Sequence, residues 1–373
     1  MVNRDRLLSE FLELVQIDSV SGRERKVCDL LKKRLGSLGL QVVEDDAGGT
    51  GALAAGNIVA RLAATADGPH LLFCAHMDTV EPGEGIKPVV GEDGVVRSRG
   101  ETILAADDKA GIAAIMEALR TICEQKIEHG EITVAFTICE ETGLLGAKRL
   151  APSVKADFGF VLDSTGPPGG VVVRAPSQDK ITATIYGKAA HAGVDPEKGI
   201  NAIYVAAQAI AAMKLGRIDP ETTANIGIIS GGKATNIVPD CVYLEGEVRS
   251  LANKRRAENT DRICRTIEET ARKAKARAEI KVDLLYEGFG FQKEAPVIEL
   301  VRRAMRRRGI EAVLNQSGGG SDANVLNARG IPTVNLSTGM ENVHTTDEQI
   351  AVTDIVTTAQ IVLELVLCAR GEE

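Results

Sequence analysis

Leu71-Leu72-Phe73-Cys74-Ala75-His76-Met77-Asp78 is an apolar run that stops abruptly at ionisable residues. An uncharged run this short matches a strand buried on both faces. Two more runs share the form: Ile132 to Cys139 ends before Glu140, and Phe158 to Leu162 ends before Asp163. Between the first two, Ile112, Ile115, Met116, Leu119 and Ile122 form one stripe at helical spacing. Strands alternating with helices predict an α/β sheet, where ligands gather at the carboxyl ends of strands. His76, Glu140 and Asp163 fall at those ends.

Upstream, Leu7, Leu8, Phe11, Leu12 and Val15, then Val27, Leu30, Leu31, Leu35 and Leu38, predict two amphipathic helices parted by Ser19-Val20-Ser21-Gly22. Downstream the style changes at Ser177. Lys180 to Tyr186 alternates as a strand, Gly199 to Leu215 reads as a helix, and Thr223 to Ser230 and Ile237 to Arg249 read as strands. Lys254 to Ala276 is a helix and Ile280 to Tyr286 a strand, which completes the β-α-β-β-α-β order of a compact two-layer domain. After Pro296 the α/β style returns: a helix through Arg308, the loop Gly318-Gly319-Gly320, a strand near Pro332 to Leu336 and a last helix from Asp354. The expected organisation is one discontinuous domain, 1–176 and 288–373, with 177–287 inserted into it.

A length of 373 residues with 44% hydrophobic content suits two folded domains. The net charge of −8 and the aromatic content, 7 Phe, 4 Tyr and no Trp, argue against nucleic acid as a partner and against base-stacking platforms. A small polar ligand fits better. Seven scattered Cys without zinc-ribbon or redox spacing point to a reducing compartment. The first forty residues have no signal-peptide form and no run of about 18 apolar residues is evident, so a cytoplasmic protein without a membrane partner is expected.

Taken singly, the ionisable residues have bland readings. His76 and Asp78 lie two apart at a strand end, so the carboxylate can orient the imidazole while the other ring nitrogen binds a metal, or the two can simply hydrogen-bond. Asp107-Asp108 before a helix can be an N-cap, yet adjacent carboxylates repel unless Lys109 or a divalent cation compensates. Glu140-Glu141 can be helix-start acidity, or one metal ligand beside one base. Only five His occur. His70 and His129 are expected to face solvent, and His191 and His344 lie in loops that need no core histidine.

Together, His76, Asp107, Glu141, Asp163 and His344 supply two imidazoles and three carboxylates. If one carboxylate bridges, each of two zinc ions gains a His, its own carboxylate and the shared one, with room left for a shared water. Nitrogen and oxygen donors without thiolate suit Zn²⁺, with Co²⁺ or Mn²⁺ as substitutes. Rival motifs are poorer. Gly49-Thr50-Gly51-Ala52-Leu53-Ala54 resembles a dinucleotide loop, but Asn57 to Leu62 after it reads as a strand where a helix is required. Ser321 lacks G-x-S-x-G spacing, and Arg302, Arg303 and Arg306 to Arg308 read as the solvated face of a helix.

His76-Met77-Asp78-Thr79, Ala106-Asp107-Asp108-Lys109-Ala110-Gly111, Glu140-Glu141-Thr142-Gly143, Asp163-Ser164, Ala190-His191-Ala192-Gly193 and the segment Gly319 to His344 follow one another over nearly the whole chain. In this order they resemble the co-catalytic zinc aminoacylase, carboxypeptidase and tripeptidase superfamily, most closely its tripeptidase T-like branch. The resemblance implies a zinc-peptidase catalytic domain with a mixed central sheet and flanking helices, and an inserted ferredoxin-like lid and dimerisation domain. It also implies that His76, Asp107 and Asp163 hold one zinc, that Asp107, Glu141 and His344 hold the other, that Asp78 orients His76, and that Glu140 is the general base. The bond between Asp107 and Asp108 would be cis. His191 would reach a partner's site, Asn236 and Arg249 would grip a substrate carboxylate, and the glycine loop at Gly319 and Gly320 would bind substrate. This loop begins Ser317-Gly318, where tripeptidases proper carry an Arg.

The expected protein is a homodimeric hydrolase with two Zn²⁺ per chain that cleaves the amide of a small peptide, as an aminopeptidase on tripeptides. An aminoacylase, dipeptidase or carboxypeptidase of the same architecture is the alternative. A non-catalytic metal-binding scaffold would need no base at position 140.

Overall fold

The computed structural model describes residues 1–49 and 54–371. Most of the Gly49–Ala54 segment, rejected above as a dinucleotide loop, lies outside them. The chain divides into two compact units, one of Met1–Val173, Gly290–Gln316 and Ser321–Glu373, the other of Arg174–Phe289 with Ser317–Gly320.

In the first unit the opening helices are Arg4–Val15 and Arg25–Ser37. The Asn3 side chain caps the first by accepting from Arg6 N at 3.1 Å. Leu7, Phe11 and Leu14 face inward from it, as do Val27, Leu31 and Leu35 from the second.

Across the centre of a nine-stranded mixed sheet run Ile58–Leu62, Ile132–Thr137, Leu71–His76, Phe158–Ser164 and Thr333–Ser337. The last four are mutually parallel and Ile58–Leu62 is antiparallel to its neighbour. Leu71–His76 therefore has a parallel strand on each side, reached by connections that leave in opposite directions, and a binding crevice forms at the carboxyl ends beside such a strand. Phe73 and Phe160 stack across adjacent strands with centroids 5.6 Å apart, contributing about 0.5–1.5 kcal/mol beyond their buried area. Against this face lies the buried helix Ala106–Gln125.

The helix Val352–Ala369 is a formal exception to the expectation of no membrane-length apolar segment, since its length and composition alone would let it cross one. Half of it is buried, and it packs on Ala106–Gln125 and Pro296–Arg307, so it serves as a core helix. A four-stranded sheet, Met340–Glu341, Gln349–Ala351, Val95–Ser98 and Pro88–Val90, was not anticipated because its strands are two to four residues long. His129 corrects another expectation. It is 3% exposed, with Nδ1 2.6 Å from the Gly130 carbonyl oxygen, because the segment around Thr65 covers it.

The second unit is an antiparallel sheet in the order Gly216–Asp219, Thr222–Gly231, Cys241–Ser250, Ser177–Tyr186 and Arg277–Tyr286, with helices Ala202–Ala212 and Asn253–Lys273 against it. Ile181, Ala183 and Ile185 point inward at period two to meet Val205, Ile263 and Ile267. Gly216–Asp219 is an additional edge strand, turned back at Pro220 and Glu221. Ser317–Gly320 joins this unit because Ser317 N donates to the Arg174 carbonyl at 2.9 Å and Gly320 N to the Tyr286 hydroxyl at 3.1 Å. A side chain at 320 would put its Cβ 2.3 Å from the Tyr286 ring, so the position requires glycine.

Candidate metal centre

Every residue expected to hold metal lies in the first unit. His76 ends its strand, Asp163 sits in Phe158–Ser164, Glu141 follows Ile132–Thr137, and His344 comes from the turn between Met340–Glu341 and Gln349–Ala351. His76 Nε2 is 2.9 Å from Asp107 Oδ1 and 3.9 Å from Asp163 Oδ1. His344 Nε2 is 3.4 Å from Asp107 Oδ2 and 2.8 Å from Glu141 Oε1. One carboxylate thus stands between two imidazoles, each oxygen facing a different one.

The two aspartates differ in what they do. Their peptide bond is cis, and both depart from helical backbone angles within Ala106–Gln125. Asp108 Oδ1 accepts from Gly111 N at 3.2 Å, which is N-cap geometry, while its Oδ2 accepts from His76 N at 3.2 Å. Asp108 therefore fastens the helix start to the strand that carries His76. Lys109, fully buried, donates to Ser19 Oγ at 2.5 Å and lies in the field of Asp78, Glu24, Asp108 and Glu348, with burial lowering its pKa to about 8.

Asp78 is placed for more than one task. Its backbone carbonyl is 2.9 Å from His76 Nδ1, nearer than its carboxylate at 3.5 Å. That carboxylate accepts from Ser21 Oγ at 2.6 Å, Glu140 N at 2.9 Å and Glu141 N at 3.2 Å. The orienting contact to the imidazole is thus made chiefly by the main chain, and the side chain anchors the glutamate pair.

Burial pushes the Glu140 carboxyl well above its ordinary range, and repulsion from Asp322, Glu141 and Asp78 adds to this against the attraction of His76. Asp163 is driven up in the same way by burial and by Asp107 and Glu140. Burial would raise Asp107 too, but hydrogen bonds from His344 and His76 outweigh it and hold it low. Hydrogen bonds to Asp107 and Glu141 push His344 up to about 10. So much negative charge within a few ångströms could hold divalent cations, and the donor set of imidazole nitrogen and carboxylate oxygen fits Zn²⁺, Co²⁺ or Mn²⁺.

The remaining candidates lie in the second unit. His191 and Asn236 are exposed neighbours, joined where Ala192 N donates to the Asn236 carbonyl at 2.9 Å. Arg249 is engaged by Glu247 through Nε at 2.9 Å and Nη2 at 3.1 Å. Its Nη1 meets no acceptor among the described residues and would lie 3.8 Å from a Cβ placed at Gly319. Gly320 rests on Tyr286, also in this unit.

Sequence reasoning missed Glu348 and Asp322. Asp322 is buried beside the ligand strands, accepting from Thr137 Oγ1 at 2.5 Å, and burial lifts its carboxyl to about 6. Its only signal was its place in the glycine loop. Glu348 is buried four residues beyond His344, in a turn without periodicity to mark it.

The chain matches the family model described as peptidase family M20/M25/M40 over residues 72–367. It is 47% identical over 367 residues to the uncharacterized protein YqjE of Bacillus subtilis (strain 168), covering 98% of this chain and 99% of that one. Peptidase T of Brevibacillus brevis is 26% identical over 412 residues, covering 97% and 98%. Among crystal structures, aminopeptidase PepT from Bacillus cereus ATCC 10987 superposes with a TM-score of 0.89 at 47% identity, covering 98% of each chain. A tripeptidase from Staphylococcus aureus subsp. aureus Mu50 does so with a TM-score of 0.94 at 44% identity, covering 99% and 100%.

Proposed function

The chain belongs to peptidase family M20/M25/M40 and is a peptide-bond hydrolase, and from that premise we propose a dizinc aminopeptidase that releases the N-terminal residue of tripeptides. The observation that carries the metal count is the Asp107 carboxylate, with Oδ1 toward His76 and Oδ2 toward His344. His76, Asp107 and Asp163 would hold one ion, and Asp107, Glu141 and His344 the other. Two such ions, when bound, supply an acidified water and polarisation of the scissile carbonyl.

Glu140 takes the proton of the attacking water and delivers it to the leaving amine. Burial favours the protonated form of Glu140, the form in which it would hold the proton between the two halves of that cycle. Asp78 keeps Glu140 and Glu141 in place through their backbone N–H groups. The second unit serves as lid and dimerisation domain. Exposed Ile203 and Tyr204 on its first helix and Ile228 and Ile229 on a strand support a homodimer formed through it. From this unit His191 polarises the scissile carbonyl in the second copy, while Asn236, Arg249, Gly319 and Gly320 receive the substrate's carboxylate end. Seven free thiols suit a cytoplasmic setting.

The decisive test is to incubate metal-loaded protein with a panel of di-, tri- and N-acylated peptides and to identify the bond cut. Release of the N-terminal residue from tripeptides is expected. Preferential cleavage of N-acylated amino acids or of dipeptides would move the protein to the aminoacylase or dipeptidase reading, and release from the C-terminal end to the carboxypeptidase reading.

A further inference from the structure

Glu348 is 1% exposed, and its two oxygens are wholly occupied by main-chain donors from a segment more than 240 residues earlier. Oε2 accepts from Leu104 N and Ala105 N, each at 2.8 Å, and Oε1 from Asp107 N at 3.0 Å. These donors converge because Ala105 adopts a left-handed conformation, φ 63° and ψ 31°, which turns successive N–H groups into one concavity. A non-glycine residue persists there only when its surroundings hold it. At its other end Glu348 is tied to the His344 turn: its N–H donates to the Thr345 carbonyl at 3.2 Å, and Thr345 Oγ1 donates to the Asn342 carbonyl at 2.7 Å.

We propose that Glu348 is a positioning residue for the bridging ligand, holding the Leu104–Asp107 backbone so that the Asp107 carboxylate faces His76 and His344 at once. This rests on the reading of Asp107 as a bridge. Only a carboxylate meets the requirement. It offers acceptors on both oxygens, whereas glutamine would turn an NH₂ donor toward either the Asp107 N–H or the Leu104 and Ala105 pair. The same side chain links two ligand-bearing segments, so its loss lets Asp107 and His344 move independently. It touches no reacting atom.

The test is Glu348→Gln, titrated metal-free with Co²⁺ and followed by absorbance and by elemental analysis. Loss of an orienting partner behind a ligand costs about 10–100-fold in metal affinity, so weakening of at least one site by about 10-fold or more is expected, with an altered Co²⁺ spectrum. Under saturating metal, kcat should fall with KM little changed. Asp179→Asn, which breaks the contacts of Asp179 with Arg256 and Thr260 in the second unit, is the stability control and should leave the titration unchanged. If Glu348→Gln does not fold, Glu348→Asp keeps the charge but shortens the reach and should weaken the same site. Wild-type affinity and spectrum in the folded variant, or equal weakening in Asp179→Asn, would overturn the proposal. A wild-type protein that takes up only one metal would overturn the bridged centre itself, a result distinct from any effect of Glu348.

Discussion

His344 Nε2 lies 2.8 Å from Glu141 Oε1, although the two residues are 203 positions apart. Neither belongs to a regular element: Glu141 is in the turn after Ile132–Thr137 and His344 has a left-handed backbone with φ 63°. Glu141 follows a parallel strand of the nine-stranded sheet, whereas His344 is carried by the turn between the antiparallel strands Met340–Glu341 and Gln349–Ala351 of the four-stranded sheet, so the pair joins loops of the two sheets.

The first prediction is that carefully loaded protein saturates at two metals per chain, about 3.5–4 Å apart. Asp107→Asn should lower affinity at both sites, because each oxygen faces a different imidazole, whereas His344→Ala should weaken one. Elemental analysis and calorimetric titration measure this. Saturation at a single metal, or loss of only one site in Asp107→Asn, would refute the bridge.

Glu141 Oε1 lies 2.8 Å from His344 Nε2, whereas the adjacent Glu140 is proposed as the base, so their variants should separate. Glu140→Gln should retain metal and lose about 10²–10⁴ in kcat, the range for a missing general base. Glu141→Ala should instead weaken the ion shared with His344. Steady-state kinetics beside metal analysis of each variant decides the assignment, and exchanged behaviour would reverse it.

Several of these features were legible in the residues alone because buried strands end abruptly. Leu71 to Ala75 is apolar up to His76, and the run from Ile132 to Cys139 is uncharged up to Glu140, so both residues stand out by pattern at the ends of buried strands. What pattern cannot show is convergence through loops. Glu348 has no period around it, and the donors it meets are gathered only by the left-handed Ala105. His129 looked solvated between Glu128 and Glu131, yet Thr65, 64 residues away, covers it. Likewise, nothing local marks Gly320 as the residue that Tyr286 must rest against.

Glu44 gives a prediction on acid stability. Hydrogen bonds from Arg25, with Gly56 N and Lys32 assisting against the cost of burial, hold its carboxyl down at about 2. A depressed folded pKa means that the stabilisation is fully present above about 4.5 and is lost as pH falls toward about 2. Glu44→Gln should therefore unfold more easily at pH 7, by on the order of 1–3 kcal/mol, with the gap to wild type closing between pH 4.5 and 2. Denaturant melts of metal-free protein across that range test it. A gap independent of pH would assign the effect to packing.

If His191 acts in trans, a His191→Ala chain mixed with a Glu140→Gln chain should recover part of the activity that each lacks. A mixed dimer then holds one site with both groups intact. Subunit exchange is followed with a differently tagged chain. Exchange without recovery would place His191 at its own chain's site or outside the reaction.

On the proposed reading, Arg249 decides which end of the peptide is read. Glu247 occupies its Nε and Nη2, so the guanidinium is already oriented and Nη1 is the edge left to offer. A carboxylate bound there would be held by a cation that has lost most of its rotamer freedom beforehand, which favours fixed geometry over raw attraction. Such a contact at a set distance from the scissile bond measures peptide length, because the anion must reach it while the amide reaches the metals. Tripeptides with a free C-terminal carboxylate should then be cut faster than their amides. Arg249→Ala should erase that preference at a cost of roughly 1.5–3 kcal/mol, the value of a charge-assisted hydrogen bond. The Glu247 pair supplies the competing view, in which Arg249 only braces the sheet. On that view Arg249→Ala and Glu247→Gln lower stability together and leave the acid-to-amide ratio untouched. Equal rates for acid and amide in the wild type would remove the clamp and favour the aminoacylase reading.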